Sequence, residues 1–216
     1  MSAGKPLRRT IVLALSAVLA AGIGGASAGD VEKGKAKAVL CVACHGATGI
    51  GAHPEIPNLA GQNEAYLVVQ IKAFRRTELG QVKSGEPAVR YDPVMGHQAA
   101  GLTDADADDL AAYYAARPCT PEKLDKGEPA AQMANQCAGC HGAFGRSTNP
   151  LVPRLAGQRE TYLDNQLKAF RGIDRDKPTG VAHRLRVHPV MGPRGIMLND
   201  QDIAELASYF SGLSCR

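Results

Sequence analysis

The 216-residue sequence matches itself at an offset of 96 with no insertion or deletion, and nothing else in it constrains the fold as strongly. Cys41-Val42-Ala43-Cys44-His45 aligns with Cys137-Ala138-Gly139-Cys140-His141, Pro57 with Pro153, and Leu59-Ala60-Gly61-Gln62 with Leu155-Ala156-Gly157-Gln158. The match runs on through Tyr66 and Tyr162, Gln70 and Gln166, Lys72-Ala73-Phe74-Arg75 and Lys168-Ala169-Phe170-Arg171, and Pro93-Val94-Met95-Gly96 and Pro189-Val190-Met191-Gly192. It closes with Tyr113 and Tyr209, then Cys119 and Cys215. Two copies of one domain therefore lie in tandem.

The repeated pentapeptide carries the chemistry. In C-x-x-C-H the two thiols lie about one helical turn apart and can form thioethers to the vinyl groups of one haem, while the next residue supplies an imidazole to the iron. Cys41, Cys44, Cys137 and Cys140 are read as covalent anchors, and His45 and His141 as proximal ligands, of two covalently attached haem c groups. Zinc would want further Cys or His at short spacing, and a redox dithiol has no need of a His fixed directly after it. For the opposite side of each iron the choice is Met95 and Met191, which share a repeat position, follow Pro and precede Gly on what reads as a loop. A thioether favours the reduced iron. The competing reading is that both are core fillers. No second His recurs: His53 is matched by Asn149, His97 by Pro193, His183 by Pro87 and His188 by Asp92. Met133 and Met197 stand opposite Lys37 and Gly101 and are read as packing.

Residues 1–28 have the form of a secretory signal peptide: Lys5, Arg8 and Arg9, an apolar run from Thr10 to Ile23, and Ala26-Ser27-Ala28 as the cleavage site. The run is short of the roughly 20 residues of a membrane span. The implied compartment is the periplasm, where disulfides form. Domains are then expected at 29–119 and 127–216, joined by a linker at 120–126 too short to let the halves wander. Residues 29–119 hold nine Lys and Arg against 11 Asp and Glu, a net charge of −2, and residues 120–216 hold 13 against 10, a net of +3. Such asymmetry either orients the protein on a redox partner or is a solvated surface without direction.

Each copy reads as a short helix leading into the haem motif (from Asp30 and from Glu128), a Gly- and Pro-bearing loop, and a helix from Glu64 or Glu160 with Leu67, Ile71 and Phe74, or Leu163, Leu167 and Phe170, at helical spacing. The last helices start after Thr103 and Asn199, N-caps with Asp106 and Asp202 three residues on. The run Asp104, Asp106, Asp108, Asp109 is read as favourable charge in a helix first turn, without a ligand role.

These motifs carry a resemblance. Each half is similar to a class I cytochrome c, and the tandem pair resembles the dihaem cytochrome c4 family over essentially the whole chain after the signal peptide. The resemblance implies an all-α fold, two tandem class I domains packed as a pseudo-symmetric pair, with the first and last helices of each crossing where Gly34 and Ala130 meet Tyr113 and Tyr209. It implies that Pro57 and Pro153, each 12 residues after its haem His, offer their carbonyls to the other ring nitrogen of His45 and His141. Tyr66, Tyr162, Arg90 and Arg186 recur, as partners of haem propionates or as ordinary surface or core residues. Cys119 and Cys215 are left over in an oxidising compartment, either as a disulfide or as free or intermolecular thiols. The function implied is outer-sphere electron transfer between respiratory complexes, from a quinol-cytochrome c oxidoreductase toward a terminal oxidase or reductase, with peripheral membrane association open. No nucleic acid, small-molecule substrate or catalytic residue is expected. The alternative is the dihaem cytochrome subunit of a larger dehydrogenase, such as a flavocytochrome c sulfide dehydrogenase.

Overall fold

In the computed structural model, the residues described are Met1, 29–83, 89–119, 131–172 and 185–215. The signal-peptide, linker and Ala130 readings lie outside them. The first half comprises helices α1 (Val31–Lys37), α2 (Val42–His45), α3 (Glu64–Glu78), α4 (Pro93–Ala100) and α5 (Asp104–Ala115), with strand β1 (Val89–Tyr91) before α4. The second comprises α6 (Ala131–His141), α7 (Glu160–Arg171), strand β2 (Leu185–Val187), α8 (Met191–Ile196) and α9 (Asp200–Gly212).

Caps explain where the helices begin. Asp30 accepts from the N–H groups of Glu32 and Lys33 at the start of α1. Thr103 and Asn199 each form a reciprocal capping box, with Asp106 and Asp202 respectively. Such a cap is worth about 1 kcal/mol. The acidic run at the head of α5 does more than complement a helix dipole. Asp104 pairs with Lys72 and Arg75, Asp106 with Lys37, and Asp108 with Lys72, so α5 is tied to α1 and α3. Asp109 is buried and accepts the Asp30 N–H at 2.7 Å.

Each half closes around its own core. In the first, Ala38, Leu67, Leu110, Ala111, Tyr113 and Tyr114 are packed together; in the second, Ala134, Leu163, Leu206, Ala207, Tyr209 and Phe210. Of the apolar stripes of α3 and α7, Leu67 and Leu163 lie in these clusters with Ile71 and Leu167 packed against them, while Phe74 and Phe170 are covered by Arg90 and Arg186. Gly34 lies where α1 crosses α5, so close that a Cβ there would fall 2.0 Å from the Asp109 carbonyl oxygen.

Two features depart from the sequence reading. Met95 and Met191 are on helices, not on a loop: Asp92 caps α4 with Pro93 in its first turn, and Met191 opens α8. Among the described residues the fold is helical apart from a two-stranded antiparallel ribbon, β1 with β2, one strand from each half. Its register sets Arg90 opposite Arg186, the same repeat position on both strands.

That register defines a pseudo-twofold axis, and the glutamine contacts of the interface obey it. The Asn58 N–H donates to Gln158 Oε1 at 2.7 Å and the Arg154 N–H to Gln62 Oε1 at 2.8 Å. Gln158 Nε2 donates back to the Asn58 carbonyl at 2.9 Å and Gln62 Nε2 to the Arg154 carbonyl at 3.0 Å. Gln62 and Gln158 are both buried, so these bonds satisfy amides that would otherwise be costly. Asn63 adds bonds to the carbonyls of Asn149 and Val152. Beside this latch a disulfide joins Cys119 to Cys215, with Cα atoms 6.3 Å apart, at positions again separated by 96.

Candidate haem-attachment sites

In each half the haem motif ends a helix, and the next residue is a glycine with positive φ, Gly46 at 74° and Gly142 at 77°, which turns the chain away. The loop then folds back on the motif. The N–H groups of Leu59 and Ala60 both donate to the Gly49 carbonyl, and those of Leu155 and Ala156 to the Gly145 carbonyl. Gly49 and Gly145 press against Tyr114 and Phe210, where a Cβ would lie 2.9 Å from the ring. The loops thereby bring a proline carbonyl to each imidazole. His45 Nδ1 donates to the Pro57 carbonyl at 3.1 Å, and His141 Nδ1 to the Pro153 carbonyl at 2.9 Å.

Both imidazoles are buried, and burial pushes their pKa below the usual histidine value against the opposing effect of the proline carbonyls. They are held neutral with one nitrogen engaged, so the Nε2 lone pair is the one presented to a metal. Cys41 and Cys137 are half-buried, which raises their thiol pKa; Cys44 and Cys140 are exposed.

The donor set fits haem c. Four thiols remain free in two C-x-x-C pairs while the other two cysteines are joined. Beside the motifs and the Met segments, apolar side chains stand open to water: Leu40 is 77% exposed and Val94 59% in the first half, Val190 54% and Ile196 64% in the second. A flat apolar macrocycle would cover such side chains; water would not favour them. Met95 and Met191 are both half-buried. The Met95 N–H donates to Asp92 Oδ1 at 3.0 Å; in the second half His188 Nδ1 takes the place of that carboxylate and accepts from Met191 N at 3.3 Å.

One residue escapes sequence reasoning. Phe144 follows the second motif at the position of Thr48 and has φ of 55°, a left-handed conformation unusual for a bulky side chain. Its ring is exposed, with the Arg146 guanidinium 5.5 Å from its centroid. An apolar residue between two glycines gave no periodic signal to find it by.

The family model for cytochrome c matches the chain twice, at residues 31–115 and 126–214. Cytochrome c4 of Thiocapsa roseopersicina is 36% identical over 201 residues, which cover 86% of this chain and 94% of that protein. The thiosulfate dehydrogenase electron acceptor of Stutzerimonas stutzeri strain A1501 is 30% identical over 192 residues, 82% of this chain and 80% of that protein. Among solved structures, reduced recombinant cytochrome c4 from Pseudomonas stutzeri is similar with a TM-score of 0.65 and 28% identity, over 86% of this chain and all of that one. The repeated attachment motif, the two packed helical halves and these likenesses agree. The chain belongs to the cytochrome c family as a dihaem electron-transfer protein of the cytochrome c4 kind, with two covalently attached haem c groups.

Proposed function

We propose that the chain is a periplasmic carrier that moves electrons one at a time from a quinol-oxidising complex toward a terminal oxidase or reductase. Haem c supplies a one-electron ferric/ferrous couple when bound. The protein's part is to hold that couple in a fixed frame. Cys41, Cys44, Cys137 and Cys140 would anchor the two groups covalently, and His45 and His141, with ring orientation set by Pro57 and Pro153, would ligate the iron. Met95 and Met191 would supply the second protein ligand to each iron, which would leave no position open to a substrate.

The observation that carries this reading is the imidazole–proline geometry repeated in both halves of one interlocked pair, since it makes two equivalent ligand sets and favours neither as an open catalytic site. Processing after Ala28 is part of the proposal. Gly29 packs so tightly on α5 that a Cβ would lie 2.0 Å from the Asp108 carbonyl oxygen. Among the described residues no helix is long and apolar enough to cross a membrane. A second reading follows from the likeness to a thiosulfate dehydrogenase electron acceptor: the chain takes electrons from a dehydrogenase of that kind rather than from a quinol-oxidising complex.

A spectroelectrochemical titration of the holoprotein, with an exogenous ligand added at each redox state, tests the carrier. Two low-spin haems, both with the Met-to-iron charge-transfer band and neither binding the added ligand, are expected. A haem that lacks the band and takes up the ligand overturns the carrier reading for its domain. Reduction of the holoprotein by quinol-supplied membranes, but not by thiosulfate with its dehydrogenase, separates the two donors.

A further inference from the structure

Tyr114 and Phe210 occupy the same repeat position and are held in the same way. The Tyr114 ring lies on Gly49, where a Cβ would fall 2.9 Å from Cδ1, and the Phe210 ring lies on Gly145 at the same distance. The Tyr114 carbonyl accepts from the Gly61 N–H at 3.0 Å, and the Phe210 carbonyl from the Gly157 N–H at 2.9 Å. Tyr113 meets Tyr114 edge-on with ring centroids 5.0 Å apart, and Tyr209 meets Phe210 at 5.2 Å. Both rings belong to the cores against which the first cysteines of the haem motifs, Cys41 and Cys137, are packed. At this position the halves differ by one oxygen atom.

That oxygen is out of place in an apolar core. Tyr114 is only 3% exposed, and its hydroxyl, closed off from water, has no partner in good hydrogen-bond geometry among the described residues. A buried hydroxyl left so is destabilising, and phenylalanine fills the same place in the second half without that penalty. The group the hydroxyl does reach is Cys41. Burial raises the Tyr114 hydroxyl from its usual value and the Cys41 charge raises it further, while the hydroxyl in turn opposes the burial that raises the Cys41 thiol. A thiol can donate or accept, so the direction of this contact is open while Cys41 is a thiol. A thioether sulfur has no hydrogen to give and can only accept, so with haem attached at Cys41 the Tyr114 hydroxyl is the donor. At Cys137 the influence next to burial is the charge of Arg194, an exposed residue that water and salt screen.

We propose that Tyr114 donates a hydrogen bond to the Cys41 sulfur of the attached haem and thereby raises the electron affinity of the first haem, a bond for which the second half has no donor. An O–H aimed at the thioether sets the positive end of its dipole beside the macrocycle and favours the iron state that carries the extra electron. Hydrogen bonding around the group is one of the protein's levers on potential, and here it is applied on one side of a near-symmetric pair. This rests on the two-haem reading, which pyridine haemochrome quantitation checks separately at two haems per chain.

The test compares holoprotein with its Tyr114→Phe and Phe210→Tyr variants by spectroelectrochemical titration and thermal unfolding. NMR contacts between haem protons and the ring of residue 114 or 210 assign each titrating haem to its half. Tyr114→Phe removes the oxygen and keeps the ring. It is expected to move the ferrous/ferric equilibrium of the first haem about twofold to fivefold toward ferric and to leave the second in place. Phe210→Tyr is expected to move the second haem toward ferrous by a similar factor. A first haem that does not move in Tyr114→Phe, or moves toward ferrous, overturns the proposal, as does an equal shift of both haems. A lowered unfolding temperature with unmoved equilibria reduces the hydroxyl to a packing role and overturns it equally. An unmoved second haem in folded Phe210→Tyr counts against it.

Discussion

Gly34 is the residue at which the first half has least room. An added methyl would meet the Asp109 carbonyl at 2.0 Å and Tyr113 Cβ at 2.8 Å, both on a helix that has no space to retreat because its far side is core. Gly34→Ala is expected to cost about 3 kcal/mol, at the upper end for an overpacked site, measured by denaturant unfolding of the holoprotein. Met95→Ala and Met191→Ala are expected each to remove one of two Met-to-iron charge-transfer bands and to lower only the potential of the matching haem. Loss of neither band would make both residues packing. At this scale the sequence was highly legible where chemistry and spacing are local. The C-x-x-C-H motifs and the distance from His45 to Pro57 are written in consecutive residues. The left-handed Phe144 was not legible, because nothing in a side chain's polarity announces a positive φ.

Among the elements, α5 shows how charge placement ties helices together. The Lys37 ammonium, with the Thr103 backbone N–H, holds the Asp106 carboxyl down at about 2, well below an ordinary aspartate. A carboxyl depressed on folding contributes stability that is fully present above about pH 4 and is lost as pH falls through about 2. Asp106→Asn should therefore flatten the acid limb of the stability curve between those values and leave its neutral plateau lower; an unaltered acid limb would mean that the pair contributes nothing. The capping boxes of α5 and α9 could be read in advance, since Thr103 and Asn199 carry their acid partners three residues on. The helix at the Met segment could not. Pro93 and Gly96 signal a turn, yet Pro is tolerated in a helix first turn, and Asp92 supplies the cap that makes the turn a helix. The ribbon was equally hidden, because three-residue strands stabilise nothing alone and exist only once the two halves have met.

For the molecule as a whole, the Cys119–Cys215 bridge closes a span of 96 residues beside the glutamine latch of the interface. In the chain-entropy account a crosslink of that span is worth up to about 4.7 kcal/mol. Cys119→Ser with Cys215→Ser is expected to lower unfolding stability by several kcal/mol while both haems stay attached. If the interface buttons alone suffice, the loss will be negligible. The tandem arrangement was plain from the offset of 96, but the way the halves face each other was not, since an offset carries no information about orientation.

Apart from one-sided bonds such as those of Asn63, the interface is built of contacts in symmetric pairs. Arg90 faces Arg186, Cys119 faces Cys215, and Gln62 and Gln158 exchange the same bonds with one another's loops. Such a self-complementary surface is the kind that closes a twofold dimer. Because both halves lie in one chain, the pairing escapes the entropy of association and is independent of concentration.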